Sequence, residues 1–103
     1  MSDQKPFVEI IGFRLGYEHE EKIDTILGKL KENFSLNNMT WTIRRNEKIF
    51  ESFFLGEYKG NPIGFYQRSA SVMPLIKSSY GKAKKEVRKK SFSVMKKDLS
   101  LAC

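Results

Sequence analysis

The sequence predicts an α+β fold: a β-α-β-β-β-α two-layer sandwich in which an antiparallel meander carries two helices on one face. Three observations predict it. Ile26, Leu27, Leu30 and Phe34 fall 3, 4, 7 and 11 residues after Ile23, one face of an α-helix. Met39, Trp41 and Ile43 alternate with polar residues, the period of a half-buried strand. Ile76, Tyr80, Ala83 and Val87 then form an apolar stripe at steps of 4, 3 and 4, again helical.

Phe7-Val8-Glu9-Ile10-Ile11-Gly12-Phe13 is short and rich in β-branched and aromatic side chains, so it reads as the first strand. Gly12 and Gly16 close it. The first helix spans Glu18 to Phe34, with Glu18, Glu20 and Glu21 at the end where the helix dipole favours negative charge. Gly28 costs this helix about 1 kcal/mol relative to Ala and is a place where a sheet could approach. Asn37-Asn38 is expected to end the helical unit. Met39 to Arg44 is the next strand, and Arg45-Asn46-Glu47-Lys48 a turn. Ile49 to Tyr58 is strongly apolar and reads as a strand. Lys59-Gly60-Asn61-Pro62 is a second turn, because Gly tolerates positive φ and Pro cannot donate to a ladder. Ile63 to Arg68 completes the meander. Ser71 can cap the last helix, and Pro74 falls within its first turn, where a missing N–H does little harm. Gly81 leaves open a break. Phe92, Val94, Met95 and Leu99 extend this helix or form a docked tail. The expected core draws Ile23, Ile26, Leu27, Leu30, Ile76, Ala83 and Val87 from the helices, and Trp41, Ile43, Phe53 and Phe65 from the meander.

The chain has 103 residues, the size of one domain, so residues 1–103 are read as one unit with a basic extension over about 91–103. Thirteen aromatic residues provide material for a packed core and argue against wholesale disorder. The formal net charge is +7, and its placement is uneven. Residues 1–40 are net −2 and residues 41–75 net +2, whereas residues 76–103 carry nine bases and two acids. Such asymmetry marks a polyanion-binding face or a solvated tail. The single cysteine, Cys103, allows no disulfide within the chain and no zinc site built from cysteines. A free thiol suits a reducing compartment. No apolar run approaches the ~20 residues that span a bilayer, and Met1 to Pro6 lacks the apolar stretch of a signal peptide. A cytoplasmic location with no membrane contact is expected.

This order of elements resembles that of the ribosome hibernation factor family, of the sigma-54-modulation type, from about Phe7 to Lys90. Gly28-Lys29-Leu30-Lys31-Glu32-Asn33-Phe34 is similar to the pattern that closes that family's first helix. Ile76, Tyr80, Ala83 and Val87, followed by Arg88-Lys89-Lys90, are similar to its last. Ser71-Val72-Met73-Pro74 departs from the acidic-Met-Tyr opening usual there. The resemblance implies a factor that occupies the decoding channel of the small ribosomal subunit and blocks translation. A more local resemblance links Gly81-Lys82-Ala83-Lys84-Lys85-Glu86-Val87-Arg88 to the second helix of the double-stranded-RNA-binding domain, whose lysines meet phosphates. That alignment leaves Ser71 to Tyr80 as a long loop.

Both resemblances place RNA on the basic helix. The candidate RNA-binding residues are Lys77, Lys82, Lys84, Lys85, Arg88, Lys89 and Lys90, with Arg44 and Arg45 at the hairpin end as a second contact. Ribosomal or other structured RNA, including the small subunit, is the expected partner, and an acidic protein is the alternative. Tyr58, Phe65 and Tyr66 could stack on bases, but core packing is the simpler role. The RNA-recognition arrangement of aromatics on two central strands flanked by basic residues is not visible. His19 has no cysteine or ordered serine and carboxylate near it, so neither a metal site nor a triad is expected. Gly56, Gly60 and Gly64 fail the phosphate-loop and dinucleotide fingerprints. Arg14, just after the first strand, is the one hint of an acylphosphatase-like enzyme. No catalytic residue, metal or cofactor is assigned.

Overall fold

In a computed structural model the backbone is described for residues 6–102 and side chains through Ser91. Cys103, the charges of Lys96, Lys97 and Asp98, and the docking of Phe92, Val94, Met95 and Leu99 lie outside the described residues. The elements are β1 (Phe7–Ile11), α1 (Tyr17–Phe34), β2 (Asn37–Asn46), β3 (Ile49–Tyr58), β4 (Asn61–Ser69) and α2 (Val72–Ala102). This is the expected order, an α+β fold of two layers.

The sheet runs β1-β2-β3-β4. β2, β3 and β4 form the antiparallel meander. β1 pairs with β2 in parallel, Phe7 opposite Thr40 and Ile11 opposite Arg44, so the sheet is mixed rather than wholly antiparallel. The cause is the connection: α1 carries the chain back along the sheet, so β2 starts from the same end as β1. Gly16 precedes α1, and its N–H donates to Nδ1 of His19 (3.1 Å). His19 therefore closes the helix start. At the other end Ser35 adopts the left-handed conformation (φ 54°) and its N–H donates to the Lys31 carbonyl (3.0 Å). The helix stops there, and Asn37-Asn38 already belongs to β2.

Both hairpins are tighter than the sequence suggests. Glu47-Lys48 joins β2 to β3, and Lys59-Gly60 joins β3 to β4. Lys59 and Gly60 both have positive φ, 50° and 79°, the geometry whose twist suits adjacent strands. Arg45 and Asn46 thus belong to β2, and Asn61 and Pro62 to β4. Pro62 is tolerated because β4 is an edge strand.

The core lies between the sheet and the helices. α1 supplies Ile23, Ile26, Leu27 and Leu30, and α2 supplies Leu75, Ile76, Ala83 and Val87. The sheet supplies Met39, Trp41, Ile43, Phe54 and Ile63. Phe53 is not in the core: it is 38% exposed on the outer face, and its neighbour Phe54 is 2% exposed. The register decides this, because Phe54 sits opposite Trp41 and side chains alternate between faces. Phe65 is half-buried and stacks on Phe54 (centroids 5.1 Å apart). The Trp41 indole N–H donates to Ser52 Oγ (2.7 Å), both residues being fully buried.

α2 begins directly after β4, so the long loop required by the double-stranded-RNA-binding alignment does not exist. The helix is continuous through Gly81, where an added Cβ would meet nothing within 4 Å. Gly81→Ala is therefore expected to stabilise the protein by up to about 1 kcal/mol, read as a raised midpoint in urea. Gly28 likewise faces open space, not the sheet.

Candidate nucleic-acid interface

α2 has 31 residues, about 46 Å at 1.5 Å per residue. Leu75, Ile76, Ser79, Ala83 and Val87 hold its inner side on the sheet. The Ser79 hydroxyl donates to the Leu75 carbonyl (2.8 Å) and lies 3.3 Å from Gln67 Oε1 on β4. The other side of α2 is basic. Lys77, Lys84 and Arg88 lie 7 and 4 residues apart, on one line along the helix. Lys85 and Lys89, 4 apart, form a second line. Lys77, Lys85, Arg88 and Lys89 are exposed, and Lys84 is partly covered. Lys89 lies 3.6 Å from Glu86. No ion pair among the described residues engages Lys77, Lys85 or Arg88.

Lys82, three residues before Lys85 and seven before Lys89, continues the second line but is half-buried. One sequence-derived residue stands off these lines. Lys90 is half-buried in line with Ala83 and Val87, on the inner side. Sequence reasoning missed Lys29 on α1. Its Nζ is 5.6 Å from the centre of the Tyr80 ring, and Lys84 Nζ is 5.4 Å from the same ring. Asn33 Nδ2 donates to the Tyr80 hydroxyl (3.4 Å), tying α1 to α2. The basic surface thus crosses the helix pair. Only the packing of α1 on α2 reveals this; no local signal marks Lys29.

Arg44 and Arg45 separate, as adjacent strand residues must. Arg45 stays at the β2–β3 turn, its Nε donating to the Glu47 carbonyl (3.1 Å) and its guanidinium 5.9 Å from the Phe50 ring. Arg44 points to the outer sheet face, where Nε (3.1 Å) and a terminal guanidinium nitrogen (2.7 Å) both donate to Glu51 Oε1. The Tyr66 hydroxyl donates to Glu51 Oε2 (2.6 Å). Tyr66 first, then Arg44, holds the Glu51 carboxyl below the usual carboxylate range. The same bond raises the Tyr66 phenol. A depressed carboxylate stabilises the fold above its unfolded value, near the ordinary 4.5, and that contribution is lost as pH falls through the lowered folded value. Glu51→Gln should lose stability at neutral pH and show a weaker loss on acidification, measured by thermal melts from neutral to acid pH. Equal acid sensitivity in both proteins would refute the clamp.

Among the described residues, no group of three or more His, Cys, Asp or Glu could hold a metal ion. No helix of the described residues is long and apolar enough to cross a membrane.

The geometry defines a class: a two-layer β-α-β-β-β-α fold with one sheet face covered by two helices, the second of them basic on its outer side, and the other face open. No protein-family model matches the chain, and no curated protein does. Solved structures share its fold. The N-terminal domain of Thermus thermophilus Protein Y aligns with a TM-score of 0.68 at 10% identity, over 84% of this chain and 98% of that one. A ribosomal subunit interface protein from Coxiella burnetii aligns with a TM-score of 0.69 at 11% identity, over 82% of this chain and 97% of that one.

Proposed function

We propose that this protein is a non-enzymatic, cytoplasmic, ribosome-associated factor that works as one domain over residues 1–103 and holds structured RNA on the basic side of α2. The observation that carries this reading is the unpaired basic surface of Lys77, Lys85 and Arg88, continued by Lys84 and by Lys29 across the helix pair. The shared fold supports it, since one protein with that fold is described as a ribosomal subunit interface protein. The sequence resemblance to hibernation factors points the same way. Mechanistically the protein is a rigid cationic wedge. Each lysine or arginine that neutralises a phosphate releases condensed counterions, and binding follows without bond-making chemistry. A wedge seated on ribosomal RNA represses translation by denying that surface to other ligands.

Sedimentation with purified ribosomes on a sucrose gradient tests this. Co-migration at low salt that falls steeply as salt rises is expected. With five to seven phosphate contacts, the slope of log affinity on log salt should be roughly −4 to −6. A protein that stays at the top of the gradient in both conditions removes the ribosome reading. Stoichiometric co-purification with one acidic protein would replace it.

A further inference from the structure

The sheet face turned away from the helices carries an arrangement that the basic helix does not explain. Register brings Thr42, Phe53 and Tyr66 into one row across β2, β3 and β4. Phe53 and Tyr66 have ring centroids 4.9 Å apart and remain 38% and 45% exposed. The Arg44 guanidinium lies 5.5 Å from the Phe53 ring. The next row holds Arg44, Glu51 and Arg68. Phe7, 57% exposed, stands on β1 with Thr40 opposite it on β2.

We propose that this open face binds single-stranded nucleic acid by stacking bases on Phe53 and Tyr66 while Arg44 and Arg68 meet the backbone phosphates. Every base has a π-face, so an exposed aromatic pair on a rigid sheet accepts bases without a sequence code. Charge favours this occupant at the row beside the rings. The single carboxylate there, Glu51, already accepts bonds from Arg44 and Tyr66, which leaves that row with a net positive charge. Tyr66 is fixed by its bond to Glu51, and Phe53 is flanked by Arg44, so the platform is formed before any ligand arrives. The hydroxyls of Thr40 and Thr42 lie between Phe7 and the ring pair, within the same face, and suit base edges. Glu9 and Glu57 are the other carboxylates of this face. Glu9 stands on β1 opposite Thr42, at the β1 end of the ring row and farthest from Tyr66, and Glu57 lies at the far end of β3, so Arg44 and Arg68 are the charges that meet phosphate.

This inference does not depend on the α2 surface, and its test keeps the two apart. The full chain is titrated into a fluorescently labelled single-stranded decauridylate, an oligonucleotide without internal structure, and anisotropy is read at low salt. The double variant Phe53→Leu/Tyr66→Leu keeps apolar cover on the face but removes both rings. It is expected to weaken binding by about 5- to 150-fold for each stacked base lost. Circular dichroism and a thermal melt of the double variant report whether the fold is kept. The charge-reversed α2 protein (Lys84→Glu, Lys85→Glu, Arg88→Glu) should retain the dependence on Phe53 and Tyr66. A double leucine variant that binds the decauridylate as the native chain does overturns the proposal. Leu55, 62% exposed, stands on the same face opposite Thr40. Self-association in sedimentation velocity that Leu55→Glu abolishes, in a chain indifferent to the oligonucleotide, also overturns the proposal; the face would then be an interface between copies.

Discussion

Reversing Lys84, Lys85 and Arg88 to Glu should strip the protein from ribosomes while leaving its fold intact. Lys85 and Arg88 are exposed, Lys84 is partly covered, and none belongs to the buried cluster. Lys, Arg and Glu have nearly equal helix propensity, so α2 itself should persist. Each phosphate contact contributes about 0.9 to the salt slope, a factor of roughly 8 in affinity at 0.1 M salt. Losing three contacts should lower affinity by roughly a hundredfold to a thousandfold and flatten the slope by about 3 units. Co-sedimentation over a salt series reads both quantities, and circular dichroism reads the fold. If affinity drops but the slope does not, the three side chains do not meet phosphates. If neither changes, the basic surface is a solvated face and α2 is not the contact.

The largest expected effect on stability lies at Trp41. Its side chain is fully buried against Phe54, with ring centroids 6.2 Å apart, and its indole N–H is satisfied by Ser52. Trp41→Ala should cost about 3–5 kcal/mol, because transfer energy is lost and a cavity remains. In a domain of this size each 1 kcal/mol shifts the melting midpoint by about 4–8 °C, so the variant should melt roughly 15–35 °C lower or fail to fold. Ser52→Ala separates the polar part from the packing. It leaves a buried donor unpaired and should cost about 1–3 kcal/mol. Trp41→Phe introduced into the Ser52→Ala protein should then cost less than it does in the native chain, since the orphaned N–H goes with it. Additive losses in that cycle would show that the bond contributes nothing.

Much of the fold was legible because it is written locally. The stripe of Ile23, Ile26, Leu27 and Leu30 lies within one segment, and one segment suffices to read a helix. The same holds for the alternation of Met39, Trp41 and Ile43, and for the concentration of lysines on α2. Where reading failed, two alternatives were locally equivalent. Phe53 and Phe54 are adjacent and chemically identical, so periodicity alone cannot say which faces the core. Ser35, rather than the Asn pair, ends α1, because a left-handed cap depends on the path into β2. Arg44 and Arg45 looked like one basic corner and are two, on opposite faces.

By itself the sequence determined the order of elements, the inner faces of both helices and the basic side of α2. These depend on a residue's neighbours within a few turns or a few strand positions. Tertiary structure alone decided that β1 runs parallel to β2, that Lys29 joins Lys84 at Tyr80, and that Phe53 meets Tyr66 under Arg44 on the open face. Those outcomes depend on pairing between residues far apart in the chain. A register slip of one residue would turn every side chain of a strand to the other face.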